Sequence, residues 1–584
     1  MLNRLIDYTH VHIPKSEPGF TVRDIRWLIE LTKEGRLGGI LPLGDEKSGA
    51  ERWGCPEMHD MNSGGKAHFL IDNLKTALLL KAAASDKPRH DFYLARIREA
   101  ATESPMLNTL VAFLSDAASL ESLRQKLLAP PHRAKPTDNL VWHIDGCDPL
   151  DDPIVVDWWR HWRLCARETA PDHSEMICFA SGELSAPAMT HPKVMGLPGG
   201  QGSGDALVGF DKTAFTSLGL KKSTNAAVSE QAARSYVDAL NYLERHHSKR
   251  LGESLVLHWF KGTVKKVDDV LDWLDDPPEV VAASAAIAAR KLFETIRSGQ
   301  CPELADSEFY ALSVSGMSGR IMVRDWITDS FETLVRHIEE WFTDLAIVAR
   351  DGNSNARDPK FFEVCLALIR NDRAKSISAN LEQLPASTIA TLWRAAVQGL
   401  QIPQPLMALA LAQFRSERFA PDEHKREVFN HARMGLIKAY FFRLKPEGDP
   451  TMTAYLNPDH PVAAYHCGRL LAVLANLQRA ALGDVGAGVV QRYYAAASQT
   501  PGLVLGRLIS NARNHLGKLE GGLAFWYENL IADVMSRLQD GAPRILDLEG
   551  QGLFALGYYQ QIAALRAGKK GTTAESNTEQ GETK

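Results

Sequence analysis

The sequence predicts an α+β N-terminal domain followed by an all-α C-terminal half that ends in a helical bundle. Three observations carry that reading. Before about residue 350, short strand-like apolar runs, Val141-Trp142-His143-Ile144 and Ser254 to Trp259, alternate with helical spacing such as that of Leu70 to Ala83. A polar, turn-prone break follows at Asp351-Gly352-Asn353-Ser354-Asn355, and beyond it the apolar spacing is helical almost throughout. A second joint, Lys445-Pro446-Glu447-Gly448-Asp449-Pro450, holds two prolines and a glycine that preclude a continuous helix, and Met452 stands directly after it.

The expected organisation is a mixed α/β domain over 1–350, a helical connecting region over 351–451, a helical bundle over 452–570 and a disordered polar tail over 571–584. Trp158, Trp159 and Trp162, at near-helical spacing, read as packing residues. Seven scattered cysteines form no Cys-x-x-Cys pair, which removes a zinc ribbon and fits a reducing cytoplasm. The start, Met1 to Asp7, is interrupted by charge, and no run of about 18 apolar residues occurs, so neither secretion nor a membrane span is supported.

A net charge of -5 over 584 residues argues against a general polycation, so any nucleic-acid surface has to be local. Charge is indeed uneven. Lys249, Arg250, Lys261, Lys265 and Lys266 precede Asp268, Asp269, Asp272, Asp275, Asp276 and Glu279, and the basic half either faces phosphate or forms a solvated surface. The segment from Met452 to Lys570 holds eleven basic and eight acidic residues, a local excess of +3.

The richest stretch runs from Cys178 to Leu243, with glycines, lysines and amides where an enzyme would need acids and bases. Gly199, Gly200, Gln201, Gly202, Ser203 and Gly204 would let a main chain approach a ligand closely and offer N–H groups to phosphate or base edges, unless they form only a flexible loop. Ala206 to Gly209 reads as a short strand, Phe210 and Phe215 as anchors, and Lys212, Lys221 and Lys222 as cations for phosphate. The run lacks the Lys-Ser/Thr of a P-loop and the spacing of a dinucleotide fingerprint. Ser63 and Lys66 make a formal Ser-x-x-Lys with no accompanying Lys-Thr-Gly, which does not support a serine acylase.

In this stretch Ser181-Gly182-Glu183, His191-Pro192, the glycine-rich turn, Leu207 to Phe210, Ala214-Phe215, Asn225 to Glu230 and Ala239 to Leu243 follow one another in an order that resembles the large subunit of the type I-C CRISPR Cascade complex. Further matches lie at Phe69 to Asn73, Val141 to Gly146, Phe309 to Leu312, Val323 to Trp326, Ile437 to Tyr440 and Gly468 to Leu474. One departure is Leu218-Gly219-Leu220-Lys221-Lys222, where the family pattern has an aromatic-glycine pair and a Lys/Glu-rich turn.

The resemblance implies a cytoplasmic, non-catalytic subunit of antiviral defence with no cofactor or metal. Its partners would be crRNA, double-stranded target DNA, the backbone subunits, the subunit holding the crRNA 5′ end and a recruited helicase-nuclease. Base pairing would read the sequence while this subunit reads the short protospacer-adjacent motif and helps open the R-loop, a division of labour known in another RNA-guided effector. Motif reading is expected on Gly64, Gly65, Lys66, Asn73 and Lys75 and on Gly200, Gln201, Gly202, Ser203, Lys212, Lys221 and Lys222, because slim backbone, amide donors and cations suit a minor groove. Asn73, which matches the family's Asp-Asn pair, either touches a base edge or caps a helix. The resemblance further implies a separate small helical subunit from an internal start. Met452 is the expected start, since Met434 lies inside an apparent helix, Glu427 to Phe442.

In the last segment Arg507, Asn511, Asn514 and Lys518 recur at i, i+4, i+7 and i+11 opposite the apolar Leu505, Leu508, Ile509, Ala512, Leu516 and Leu519. That stripe, with Arg513, suits a DNA strand path or simply a solvated helix face. Two other classes stay open: a metal-dependent nuclease using His59/Asp60 or His90/Asp91, and a scaffold with no nucleic-acid role.

Overall fold

The computed structural model describes residues 1–13, 16–45, 49–58, 65–168, 175–210, 212–216, 219–262, 264–265, 268–277, 285–298, 300–305, 307–370, 375–417, 423–483, 488–538 and 541–567. The chain divides into two compact units, Met1–Ser248 with Val314–Val323, and Lys249–Ser313 with Arg324–Lys584. The turns expected at 351–355 and 445–450 are present, and both lie within the second unit. The tail at 571–584 lies outside the described residues.

In the first unit, strands β1 (Phe20–Ile25), β2 (Trp27–Leu31), β3 (Leu37–Pro42), β4 (Ala50–Pro56) and β5 (Leu140–Ile144) make two sheets. β1 pairs antiparallel with β4; in the order β3-β2-β5, β2 is antiparallel to β3 and parallel to β5, with Trp27 opposite Leu140 and Leu31 opposite Ile144. β5 confirms the expected strand. Helices α1 (Leu2–His12), α2 (Leu74–Leu78), α3 (Lys87–Ala100), α4 (Met106–Ser115), α5 (Ala117–Leu128), α6 (Pro153–Glu168) and α7 (Glu230–His246) complete it, with a small ribbon of β6 (Met176–Ile177) and β7 (Leu184–Ser185). The α6 tryptophans pack as expected: Trp159 is fully buried, stacked between Phe69 at 5.4 Å and Trp162 at 5.3 Å.

Two local expectations are corrected. The helix expected over Leu70 to Ala83 shrinks to α2, because Leu70 adopts a left-handed backbone and Asn73 starts the helix only at Leu74. Leu79 is left-handed too, which ends it. The strand expected from Ala206 to Gly209 reduces to isolated bridges, Asp205 with Val194 and Ala206 with Arg320, since among the described residues no strand pairs with Leu207 to Gly209.

The second unit begins with a sheet of order β11-β10-β9-β8, from β8 (Ser248–Leu251), β9 (Ser254–Phe260), β10 (Glu308–Met317) and β11 (Arg320–Ser330); the tip of the last hairpin belongs to the first unit. Helices α8 (Asp272–Asp275), α9 (Ala285–Arg297), α10 (Pro302–Ala305) and α11 (Phe331–Leu345) accompany it. From there the described chain is helical: α12 (Phe361–Leu366), α13 (Ile377–Leu381), α14 (Ala386–Val397), α15 (Gln404–Glu417), α16 (Glu423–Phe442), α17 (Ala463–Leu482), α18 (Val489–Gln499), α19 (Pro501–Leu516), α20 (Gly521–Ser536) and α21 (Leu548–Ala564). The architecture is thus an α+β N-terminal part followed by a helical C-terminal half. One apolar core runs from Val256 to Leu565 and includes Met452.

Helix α17 is buried on every side from Ala464 to Leu474, with α18, α19, α20 and α21 packed around it. Its polar groups therefore need internal partners. Arg469 donates to Gln561 at 3.0 Å and pairs with Asp533 at 3.5 Å, and the Gln560 amide donates to the carbonyls of Thr453 and Ala454 at 2.8 and 3.0 Å. The basic run after Ser248 does not all face outward, because Lys249 pairs with Asp275 at 2.8 Å and Asp272 at 3.4 Å.

Candidate nucleic-acid interface

The glycine-rich turn of the first unit is shaped from behind. Gly199 has φ +72, and a Cβ there would come within 2.8 Å of the Gly316 carbonyl; a Cβ on Gly316 would collide with the Gly200 backbone. Only glycine lets the turn and the hairpin tip approach this closely. Gly316 donates its N–H to the Pro198 carbonyl at 2.8 Å. The N–H groups expected to face a ligand are partly used within the turn: Gly200 donates to Leu197 at 3.0 Å, Gln201 to the buried Asp205 carboxylate at 3.2 Å, and Gly204 to Gln201 at 2.8 Å. What reaches solvent is the tip, Gln201, Gly202 and Ser203, with the Gln201 amide beside Gly319.

Around the turn, Lys212, Lys221 and Lys222 are exposed, and Phe210 and Phe215 pack edge to face at 5.3 Å. Leu218 in the departing turn lies outside the described residues. Behind the turn, His191 is buried with Nδ1 2.6 Å from the Tyr236 hydroxyl, and burial pushes its pKa down to about 4. Arg234 of α7, also buried, is held by Asp238 and by Glu57 at 2.5 Å.

The other expected motif-reading segment is held by a buried carboxylate. Asp72 accepts the His68 N–H at 2.8 Å, the Asn73 N–H at 2.7 Å and the Asn73 amide at 2.9 Å; burial raises its pKa. Asn73 caps α2 by accepting the Thr76 N–H at 2.9 Å. One amide N–H and one carbonyl lone pair remain for any other partner. Lys75 is engaged with Asp86 at 2.9 Å, Gly65 turns at φ +80, Lys66 is half-buried, and Gly64 lies outside the described residues.

In the second unit, α19 separates its faces as its spacing requires. Leu505, Leu508 and Ala512 are buried, while Arg507, Asn511, Arg513 and Asn514 are exposed. The helix stops at Leu516, so Lys518, also exposed, extends the stripe from the following turn. Among the described residues, no carboxylate pairs with Arg507, Arg513 or Lys518. Sequence reasoning missed a recess beside this stripe, lined in part by Arg492, Tyr493, Asn511 and His515; the only signal was Asn511 and His515 at i, i+4.

Of the two pairs considered for a metal-dependent nuclease, His90/Asp91 lies in the described residues and has no ligand geometry there. His90 is buried, with Nδ1 2.9 Å from the Thr76 carbonyl, and Asp91 pairs with Lys87 at 3.0 Å; His59 and Asp60 lie outside the described residues. Among the described residues no three His, Cys, Asp or Glu side chains converge, and no helix is long and apolar enough to cross a membrane.

Residues 5–566 match the family model of the CRISPR-associated protein Cas_Csd1. The chain belongs to the Csd1 family. Csd1 proteins are the large subunits of type I-C Cascade, so the resemblance seen in scattered motifs holds over nearly the whole chain. No curated protein matches the chain. Family membership does not favour the nuclease reading.

Proposed function

We propose that this Csd1 chain is the non-catalytic subunit that recognises the protospacer-adjacent motif, helps open target DNA and recruits a helicase-nuclease within the crRNA-guided complex. The family match over residues 5–566 carries this reading. Supporting it, the turn tip Gln201 to Ser203 is exposed with lysines nearby, and α19 presents cations and amides to which no carboxylate among the described residues is paired. Each unit also leaves large apolar side chains in water, Ile177, Phe179 and Leu184 in the first and Leu503, Phe525 and Trp526 in the second, as a subunit covered by partners would. Motif reading is assigned to Gln201, Gly202, Ser203, Asn73 and the lysines around them, and the strand path to Arg507, Asn511, Arg513, Asn514 and Lys518.

Binding of the reconstituted complex to targets with and without the flanking motif tests this. Gln201→Ala should lower the preference while assembly stands; an unaltered preference in both Gln201→Ala and Asn73→Ala defeats the assignment. Incubation with Mg²⁺ or Mn²⁺ and DNA should give no cleavage, and metal-dependent cleavage lost in His59→Ala would reverse the non-catalytic reading.

A separate small subunit, Met452 to Lys584, belongs to the same proposal. Met452 follows the 445–450 turn, whereas Met434 lies within α16. Mass spectrometry of the expressed complex decides it: Met452→Leu should remove the small species, and its persistence defeats the assignment.

A further inference from the structure

A recess of about 130 Å³ lies between α17, α18 and α19, and Asn511 of the α19 stripe stands on its edge. Its lining is mostly polar, Gln478 included, and the buried Leu508 and Ala512 are among its apolar members. Half-buried Tyr493 forms a wall, exposed Arg492 stands on α18 at the rim, and His515 lies one turn beyond Asn511. Nδ1 of His515 is shut off from water and has no hydrogen-bond partner among the described residues, so a base edge would reach it only if the ring turned toward the recess.

We propose that this recess takes one nucleobase turned out of a single DNA strand lying along α19. The proposal rests on the reading of α19 as a strand path and adds a base site to it. Size favours the choice: drug-sized pockets span about 300–1,000 Å³, so this one is too small for a whole nucleotide and would leave the sugar and phosphate outside. Composition favours it as well. A base needs an apolar surface for its faces, an aromatic ring to stack on and in-plane groups for its edge, with a cation nearby for the phosphate. Leu508 and Ala512, then Tyr493, then Asn511 and His515, then Arg492 supply these in turn. Burial and the neighbouring Lys518 hold the His515 ring below its ordinary pKa. A neutral imidazole carries one donor and one acceptor, which matches a base edge better than an anion.

The test compares binding of the full chain to an oligothymidylate 12-mer and to an abasic 12-mer of the same backbone, by fluorescence anisotropy. Wild type should prefer the base-bearing strand by on the order of tenfold, since one base–aromatic stack contributes about 1–3 kcal/mol. Tyr493→Leu and His515→Ala should each narrow that gap at least threefold with the salt slope unchanged, and Asn511→Ala, at an exposed position, guards against a folding failure in the first two. No gap in wild type, or a gap unaltered in all three variants while Arg507, Arg513 and Lys518 changed together to Ala still weaken binding, overturns the base site and leaves the strand path standing. If that triple variant keeps full affinity and salt slope, the strand path itself falls.

Discussion

The Gly199–Gly204 turn and helix α19 both present polar groups to solvent, yet they are built in opposite ways. In the turn the backbone is the presented material, and its course is set from beneath by Gly316, Pro198 and Asp205. In α19 the side chains are presented, and the buried face of Leu505, Leu508 and Ala512 is what any amphipathic helix would use. The difference teaches where a substitution acts. A single methyl under the turn changes its shape, whereas on α19 only the loss of charge or amide should register.

Acid should produce the largest effect, through the support behind the turn. His191, buried against Tyr236 on the segment that leads into the turn, has its pKa lowered from 6.5 to about 4. Protonation is therefore disfavoured in the folded state, so stability is full above about pH 6.5 and is lost as pH falls from there toward 4, by up to about 3 kcal/mol. His460 in the second unit is lowered to about 4 by the same cause. Denaturant melts at pH 7 and pH 4.5 should differ less in His191→Gln than in wild type, by about 2 kcal/mol. Equal differences would break the claim that this contact supports the turn.

Gly200→Ala comes next. A Cβ there would strike the Asp205 carboxylate and lie 2.9 Å from the Leu197 carbonyl. Overpacking of this kind costs roughly 1–3 kcal/mol, while Ser510→Ala on the exposed side of α19 should stay within about 0.5 kcal/mol. Chemical denaturation measures both, and equal losses would erase the contrast between the two surfaces.

The contrast also explains what the sequence made legible. Strand β5, strand β9, the breaks at 351–355 and 445–450 and the outward stripe of α19 depend on neighbours in sequence, where periodicity and Pro/Gly chemistry act. The approach of Gly316 to Gly200 joins residues more than a hundred positions apart, so nothing local announces that the glycines serve packing. Likewise the left-handed Leu70 and Leu79, which cut the expected helix to α2, are fixed by the tertiary setting of Asp72 and Asn73. The first unit takes in Val314–Val323, a discontinuity that no composition shift marks. The recess beside α19 draws on three helices, only one of which carries the stripe.

Asn73→Ala should have a smaller effect on stability, about 1 kcal/mol for a lost helix cap. Its value is that stability and motif preference report different roles. If the remaining amide N–H also meets a base edge, the preference for flanked targets should drop by a further 1–3 kcal/mol in affinity. Stability loss with preference intact would confine Asn73 to capping and shift motif reading onto the turn.

Gly202→Ala should have the smallest effect on stability and sharpens the comparison most. Nothing lies within 4 Å of a Cβ at this position, the residue is exposed, and its backbone is not in the left-handed region, so the fold should change by less than about 0.5 kcal/mol. A methyl at the tip would nevertheless hold the backbone away from any groove it enters, since close approach is what glycine permits there. Competition binding with flanked and unflanked targets should therefore show a reduced preference in a protein whose melting is unaltered. The same loss does not follow for Ser510→Ala on α19, where side chains rather than backbone face the strand. An undiminished preference in Gly202→Ala would mean that the turn reads no bases through its backbone, leaving the exposed Gln201 amide and the lysines around it as the groups that face DNA in the first unit.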